Sequence, residues 1–157
     1  MAAVSTPLLV TSPLSHPGST QPYNLRMRDS IRAAMEFVRA ICGQNVSALT
    51  ELMTLDHKFT DSLGNTVAGR DAMRFGWAGY FAMVPDYSIR IDETYFDGPV
   101  VVLLGTAQGS YKGKDGLSPG NVWQTPIAIR ACIEDGLVAE WRVYADNEPI
   151  RALMRKS

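Results

Sequence analysis

Residues 122–146, VWQTPIAIRACIEDGLVAEWRVYAD, decide how the chain is read. Apolar side chains recur with a period of two on both sides of Glu134, Asp135 and Gly136, the residue types of a tight turn. The stretch therefore predicts two long strands paired as a hairpin. Upstream, Tyr87 to Phe96 and Val100 to Lys112 carry the same period around Asp97-Gly98, and KGKDGLSPGN (112–121) makes a longer connection into Val122. Four successive strands make an antiparallel meander.

Ahead of the meander the period changes. In DSIRAAMEFVRAIC (29–42), Ile31, Ala34, Met35, Val38, Ile41 and Cys42 fall at helical spacing, with Gly43 as a C-cap. A short second helix through VSALTELM (46–53) follows an Asn45 cap, and a third covers Arg70 to Met83 and ends before Pro85. A first strand lies between these two helices, and EPIRALMRK (148–156) closes the chain with a last helical turn or two. Helices followed by a meander give an α+β order in which helices cover one face of a strongly curved antiparallel sheet. Such a sheet encloses a pocket, and pockets of this kind hold small ligands.

The chain has 157 residues, 46% of them hydrophobic, which suits one domain with a real core. Residues 28–157 are expected to form it. Residues 1–27 contain four prolines, many Ser and Thr, and no charge before Arg26, so they read as a disordered or surface-draped tail with His16 a bystander. A net charge of -1 provides no basic footprint for nucleic acid, and no run of 18 apolar residues could span a membrane. Cys42 and Cys132 lie in apolar segments without metal-ligand neighbours and are expected to be buried free thiols in a reducing, cytoplasmic setting. No metal site and no phosphate-binding glycine loop is legible, so the expected chemistry is cofactor-free.

The polar stretch LDHKFTDSLGN (55–65) runs against this apolar background. Alternation puts His57, Phe59 and Asp61 on one face and Asp56, Lys58 and Thr60 on the other, which leaves His57 and Asp61 pointing inward. Buried groups of this type are costly unless they are used or satisfied. Asp61 has two readings: a carboxylate whose pKa is raised by apolar surroundings and which moves a proton, or an Asx-turn residue ahead of Ser62 and Gly64. His57 is either a second donor or a satisfied core histidine. Trp77, Tyr80 and Phe81 share one face of the third helix, as core or as cavity wall.

LMTLDHKFTDSLGNTVAGRDAMRFGWAGYF (52–81), then PDY (85–87), then strands ending EDGLVAEWRVYADN (134–147), resemble the SnoaL-like polyketide cyclases and ketosteroid isomerases of the nuclear transport factor 2-like superfamily. The resemblance spans about residues 30 to 155. It implies a cone of helices and curved sheet around a deep apolar cavity. It also lays Asp61 on the carboxylate that abstracts the substrate proton in ketosteroid isomerase, while the oxyanion-donating tyrosine falls at Phe37 and its neutral acid partner at Ala128. Oxyanion donors are worth about 3 to 4 kcal/mol each, so a literal steroid isomerase is not expected.

Carried ungapped from Pro126 through Val143, the resemblance puts Arg130, Trp141 and Val143 on cavity-facing positions. There Arg130 either holds a ligand oxyanion or bridges to Asp61, Glu140 or Asp146. Trp123 joins the wall if a bulge near Pro126 resets its parity. Tyr144 should face away. The expected wall is thus Phe37, Phe59, Trp77, Tyr80, Trp123, Ala128, Trp141 and Val143 around Asp61, His57 and Arg130.

The expectation that follows is acid–base chemistry on a small, largely apolar or aromatic metabolite: isomerisation, cyclisation, dehydration or hydrolysis. A noncatalytic binding module and a homo-oligomerising interaction domain are the alternatives. VVVLL (100–104) and PIAIRACI (126–133) are apolar at both parities, the mark of a sheet covered on both faces, and predict a homodimer through the outer one.

Overall fold

A computed structural model describes residues 20–156 of the chain. Residues 1–19, with His16, lie outside the described residues. The first helix, α1, spans Thr20–Cys42 and so takes in residues 20–27, which the sequence reading assigned to the tail. Pro22 sits in the first turn, where a missing N–H costs nothing. These early turns ride the surface: Tyr23 and Leu25 are more than half exposed, and the Tyr23 ring stands 6.0 Å from Phe96. Further along, Ala33, Ala34, Phe37, Val38 and Ile41 face the core. The left-handed residue that ends α1 is Gln44, with φ 52°, one beyond the expected Gly43.

Helix α2 (Val46–Glu51) starts where the Asn45 side chain accepts a hydrogen bond from the Ala48 amide at 3.0 Å. Strand β1 (Met53–Thr60) follows, then a short β2 (Thr66–Ala68) that the sequence reading missed, and α3 (Arg70–Met83). The meander is β3 (Ser88–Asp97), β4 (Val100–Ser110), β5 (Val122–Glu134) and β6 (Leu137–Ala145), and α4 (Glu148–Met154) closes the described chain. The architecture is α+β, as expected.

The six strands run in the order β2-β1-β6-β5-β4-β3. The sheet is mixed rather than wholly antiparallel, because β1 enters parallel to β6, with Phe59 beside Trp141. A meander pattern contains no information about which way an earlier strand joins its edge. On β5 the buried residues are Trp123, Thr125, Ile127, Ile129, Ala131 and Ile133, an unbroken period of two. Their odd-numbered face turns toward α1 and α3, and the even-numbered face turns away. Gly105 allows the closest approach between β3 and β4, since a Cβ there would lie 1.9 Å from the Arg90 carbonyl oxygen. Neither cysteine is buried as expected: Cys42 is exposed and Cys132 half-buried, both as free thiols. Among the described residues no helix is long and apolar enough to cross a membrane.

Candidate functional site

The inner face of the sheet and one side of α3 enclose a cavity of about 390 Å³. Helix α3 supplies Ala72, Met73, Gly76, Trp77 and Tyr80, a stripe set by the helical repeat. Tyr87 comes from just before β3, and the sheet supplies Ile89 from β3, Ala107 from β4, and Trp123, Thr125 and Ile127 from β5. Trp141, Val143 and Ala145 come from β6, and Phe59 from β1. One stretch of the wall is polar, made by Asp61 and Ser62 from the turn after β1 and Asn147 from the turn after β6.

The expected wall residues Phe59, Trp77, Tyr80, Trp123, Trp141 and Val143 are therefore together. Trp123 needs no bulge near Pro126, because β4 and β5 pair in unbroken register from Val122 to Cys132. Burial raises the phenol pKa of Tyr80 and of Tyr87, so both stay protonated donors.

Asp61 stands at the cavity as an Asx turn. Its Oδ1 accepts the amides of Leu63 and Asn65, both at 2.9 Å, and its Oδ2 accepts the Asn65 side-chain amide at 2.9 Å. Partial burial pushes its pKa up, but the bonds from the Asn65 side chain and from the turn amides outweigh it, and the carboxyl titrates below its ordinary range. The expected upward shift is thus corrected: three hydrogen bonds hold the charge. Asn147 Nδ2 donates to Ser62 Oγ at 2.6 Å, tying the two turns together across 85 positions. Ser62, Thr125, Ile127 and Asn147 were missed. Parity with Trp123 could have found Thr125 and Ile127, whereas the Ser62–Asn147 bond has no local signal.

His57 does not reach the cavity. It is fully buried, with Nδ1 donating to the Val138 carbonyl at 2.7 Å and Phe37 5.9 Å away. Burial lowers its pKa, so the ring is neutral. It is a core histidine, not a second donor at the ligand. Phe37 is also fully buried, behind Trp141 at 4.6 Å, and is not part of the wall.

Arg130 and Ala128 lie on the outer face. Next to the turn, Glu134 pairs with Leu137 and Ile133 with Val138, a register that would set Arg130 opposite Trp141 if it continued. Instead Ala139 is bulged out of the ladder, Cys132 pairs with Glu140, and Trp141 pairs with Ala131. Paired residues share a face, so Trp141 turns inward and Arg130 outward beside Arg142. There Arg130 Nη1 meets Glu140 Oε2 at 2.9 Å. Tyr144 faces away from the cavity as expected, half-exposed, with the Arg142 guanidinium 5.1 Å from its ring centre. No group of three His, Cys, Asp or Glu side chains among the described residues is placed to hold a metal ion.

Residues 18–141 match the family model of the SnoaL-like domain. No curated protein matches the chain. Among solved structures, a protein with a ketosteroid isomerase-like fold from Catenulispora acidiphila, in complex with trimethylamine, is similar with a TM-score of 0.68 at 22% identity, over 76% of this chain and 89% of that one. A candidate SnoaL-like polyketide cyclase from Jannaschia sp. CCS1 has TM-score 0.68 at 18% identity, over 81% and 90%. An LEH-like epoxide hydrolase from M. tuberculosis has TM-score 0.68 at 17% identity, over 82% and 91%.

Proposed function

The chain belongs to the SnoaL-like domain family, and from that premise we propose that it is a small-molecule cavity protein for a compact, largely apolar, ring-bearing metabolite. One observation carries this reading: a cavity of about 390 Å³ is walled mostly by aromatic and aliphatic side chains, with Asp61, Ser62, Thr125 and Asn147 and the polar tips of the Tyr and Trp rings as its polar groups. Small-ligand sites typically span roughly 300 to 1,000 Å³ with a few polar groups that orient the ligand. Structures of similar fold bear the names of a polyketide cyclase and an epoxide hydrolase, so the fold alone does not choose a reaction.

A second reading, acid–base turnover, is favoured by Asp61. Among the described residues it is the one carboxylate of the cavity wall, ionised, with acceptor capacity left on Oδ2 after its bond from Asn65. His57 and Arg130 are not its partners, for both lie outside the cavity. The chemistry would rest on one base and on ligand groups themselves.

The test is to expose purified protein to a metabolite extract and identify retained and altered compounds by mass spectrometry. Wild type retains ring-bearing apolar compounds, and Ala72→Trp, which fills the cavity from α3, loses them. Equal retention by both proteins would sink the cavity reading. If a compound changes mass or isomer with wild type but not with Asp61→Asn, turnover stands; if neither protein alters any compound, binding without catalysis stands.

The half-buried apolar residues Val102, Leu104 and Ala128 on the outer sheet face support a further part of this reading: a second copy of the chain covers that face.

A further inference from the structure

We propose that the ligand of this cavity is a cation, a hydrophobic amine or quaternary ammonium seated between Asp61 and the aromatic wall; the inference rests on the cavity reading above. Among the described residues, Asp61 is the only lining residue with a formal charge at neutral pH, and no Lys, Arg or His lines the cavity. Arg130, the side chain that could have received a ligand oxyanion, lies on the opposite face of the sheet, committed to Glu140. An anionic ligand would therefore meet one fixed negative charge and no compensating positive one.

The wall suits the opposite sign. Phe59, Trp77, Tyr80, Tyr87 and Trp123 form a continuous series of ring contacts, with successive centroids 6.1, 6.2, 5.0 and 6.0 Å apart. Three of these four junctions are steep, at 71°, 85° and 88°. Rings at such angles do not stack as one flat sheet, and a cation placed over the face of any one of them is attracted by its quadrupole. Phe59 comes two residues before Asp61 and turns to the same cavity, which brings carboxylate and ring wall together.

The acceptor count at Asp61 leaves room for a donor. Oδ1 is taken by two amides and Oδ2 by one, so one lone pair of Oδ2 is open. An ammonium N–H fits it as a charge-assisted bond, and a quaternary head can sit against it without one. The turn bonds that keep this carboxylate ionised also hold it in position at the cavity wall.

The experiment compares three probes of matched shape by calorimetry at neutral pH: 1-naphthylmethylamine, 1-naphthylmethanol and 1-naphthoic acid. With the wild-type protein the amine should bind about tenfold tighter than the alcohol, and the acid weakest, since a cation over rings contributes about 0.5 to 2 kcal/mol. In Asp61→Asn, with its fold checked by circular dichroism, the amine's advantage should fall below about threefold. If the alcohol or the acid binds as tightly as the amine, the charge assignment is overturned and the cavity reading stands. If none of the three binds, both fall. Should the variant not fold, the wild-type ranking of the three probes decides alone.

Discussion

His57 shows how a single residue can be correctly placed by alternation and still be misjudged in role. Period two turned it inward, and inward it is, yet the cavity begins one position further along the same strand face, at Phe59. Its neutral ring has a measurable consequence. Burial pulls its pKa below 6.5, with the Val138 hydrogen bond and the Asp56 charge opposing more weakly. The unfolded chain therefore takes up a proton near 6.5 that the folded chain refuses, so stability is complete above that pH and falls as pH drops toward the lowered folded value. The urea midpoint of wild type should decrease from pH 7 to pH 5. In His57→Phe that decrease should largely vanish, while stability at pH 7 falls by about 1 to 3 kcal/mol for the orphaned Val138 carbonyl. A wild-type midpoint that stays level between pH 7 and 5 would contradict this. Of the two readings of Asp61, the Asx turn is the one its bonds show, and that turn stands at the cavity with the carboxyl pKa lowered rather than raised. Arg130 was placed inward by the resemblance, although the alternation of β5 that turns Trp123 and Ile127 inward already puts it on the outer face.

At the scale of elements, α3 carries the cavity. Its stripe of Met73, Trp77 and Phe81 packs into the core, while Gly76 and Gly79 leave the helix backbone bare. A Cβ at either glycine would meet nothing within 4 Å. Gly79→Ala should therefore raise stability by about 0.5 to 1 kcal/mol through helix propensity alone. Gly76→Ala should raise it by a similar amount, and because Gly76 lines the cavity it should also weaken ligand binding. Gly105→Ala should do the reverse, costing about 1 to 3 kcal/mol as β3 and β4 are forced apart. Thermal midpoints of the three variants check the signs, and a stabilised Gly105→Ala would refute the close approach at Arg90. Strands β4 and β5 and helices α1 and α3 were readable because each buries one face at its own period, and β3 and β6 through the turn signals that join them to these strands. Strand β2 was not, since Thr66–Ala68 is exposed throughout and too short to show a period.

At the scale of the whole molecule, one side of the sheet is occupied by the core and cavity, and the other carries Val102, Leu104 and Ala128 among Lys58, Arg130, Glu140 and Arg142. The proposed second copy would cover these apolar positions, with the charged residues at the margin of the contact. Sedimentation at micromolar concentration should report a dimer, and Leu104→Asp should shift it to monomer without loss of helical signal. A monomeric wild type would remove the idea.

By itself the sequence determined the helices and the four meander strands, the inward face of most of them, and which family the chain resembles. These follow from local periodicity and turn chemistry, and so they can be read a few residues at a time. Tertiary structure alone decided that β1 joins β6 in parallel, that the Ala139 bulge turns Trp141 into the cavity, and that Ser62 meets Asn147. Each of these depends on register between segments far apart in the chain, where a shift of one position exchanges the two faces of a strand.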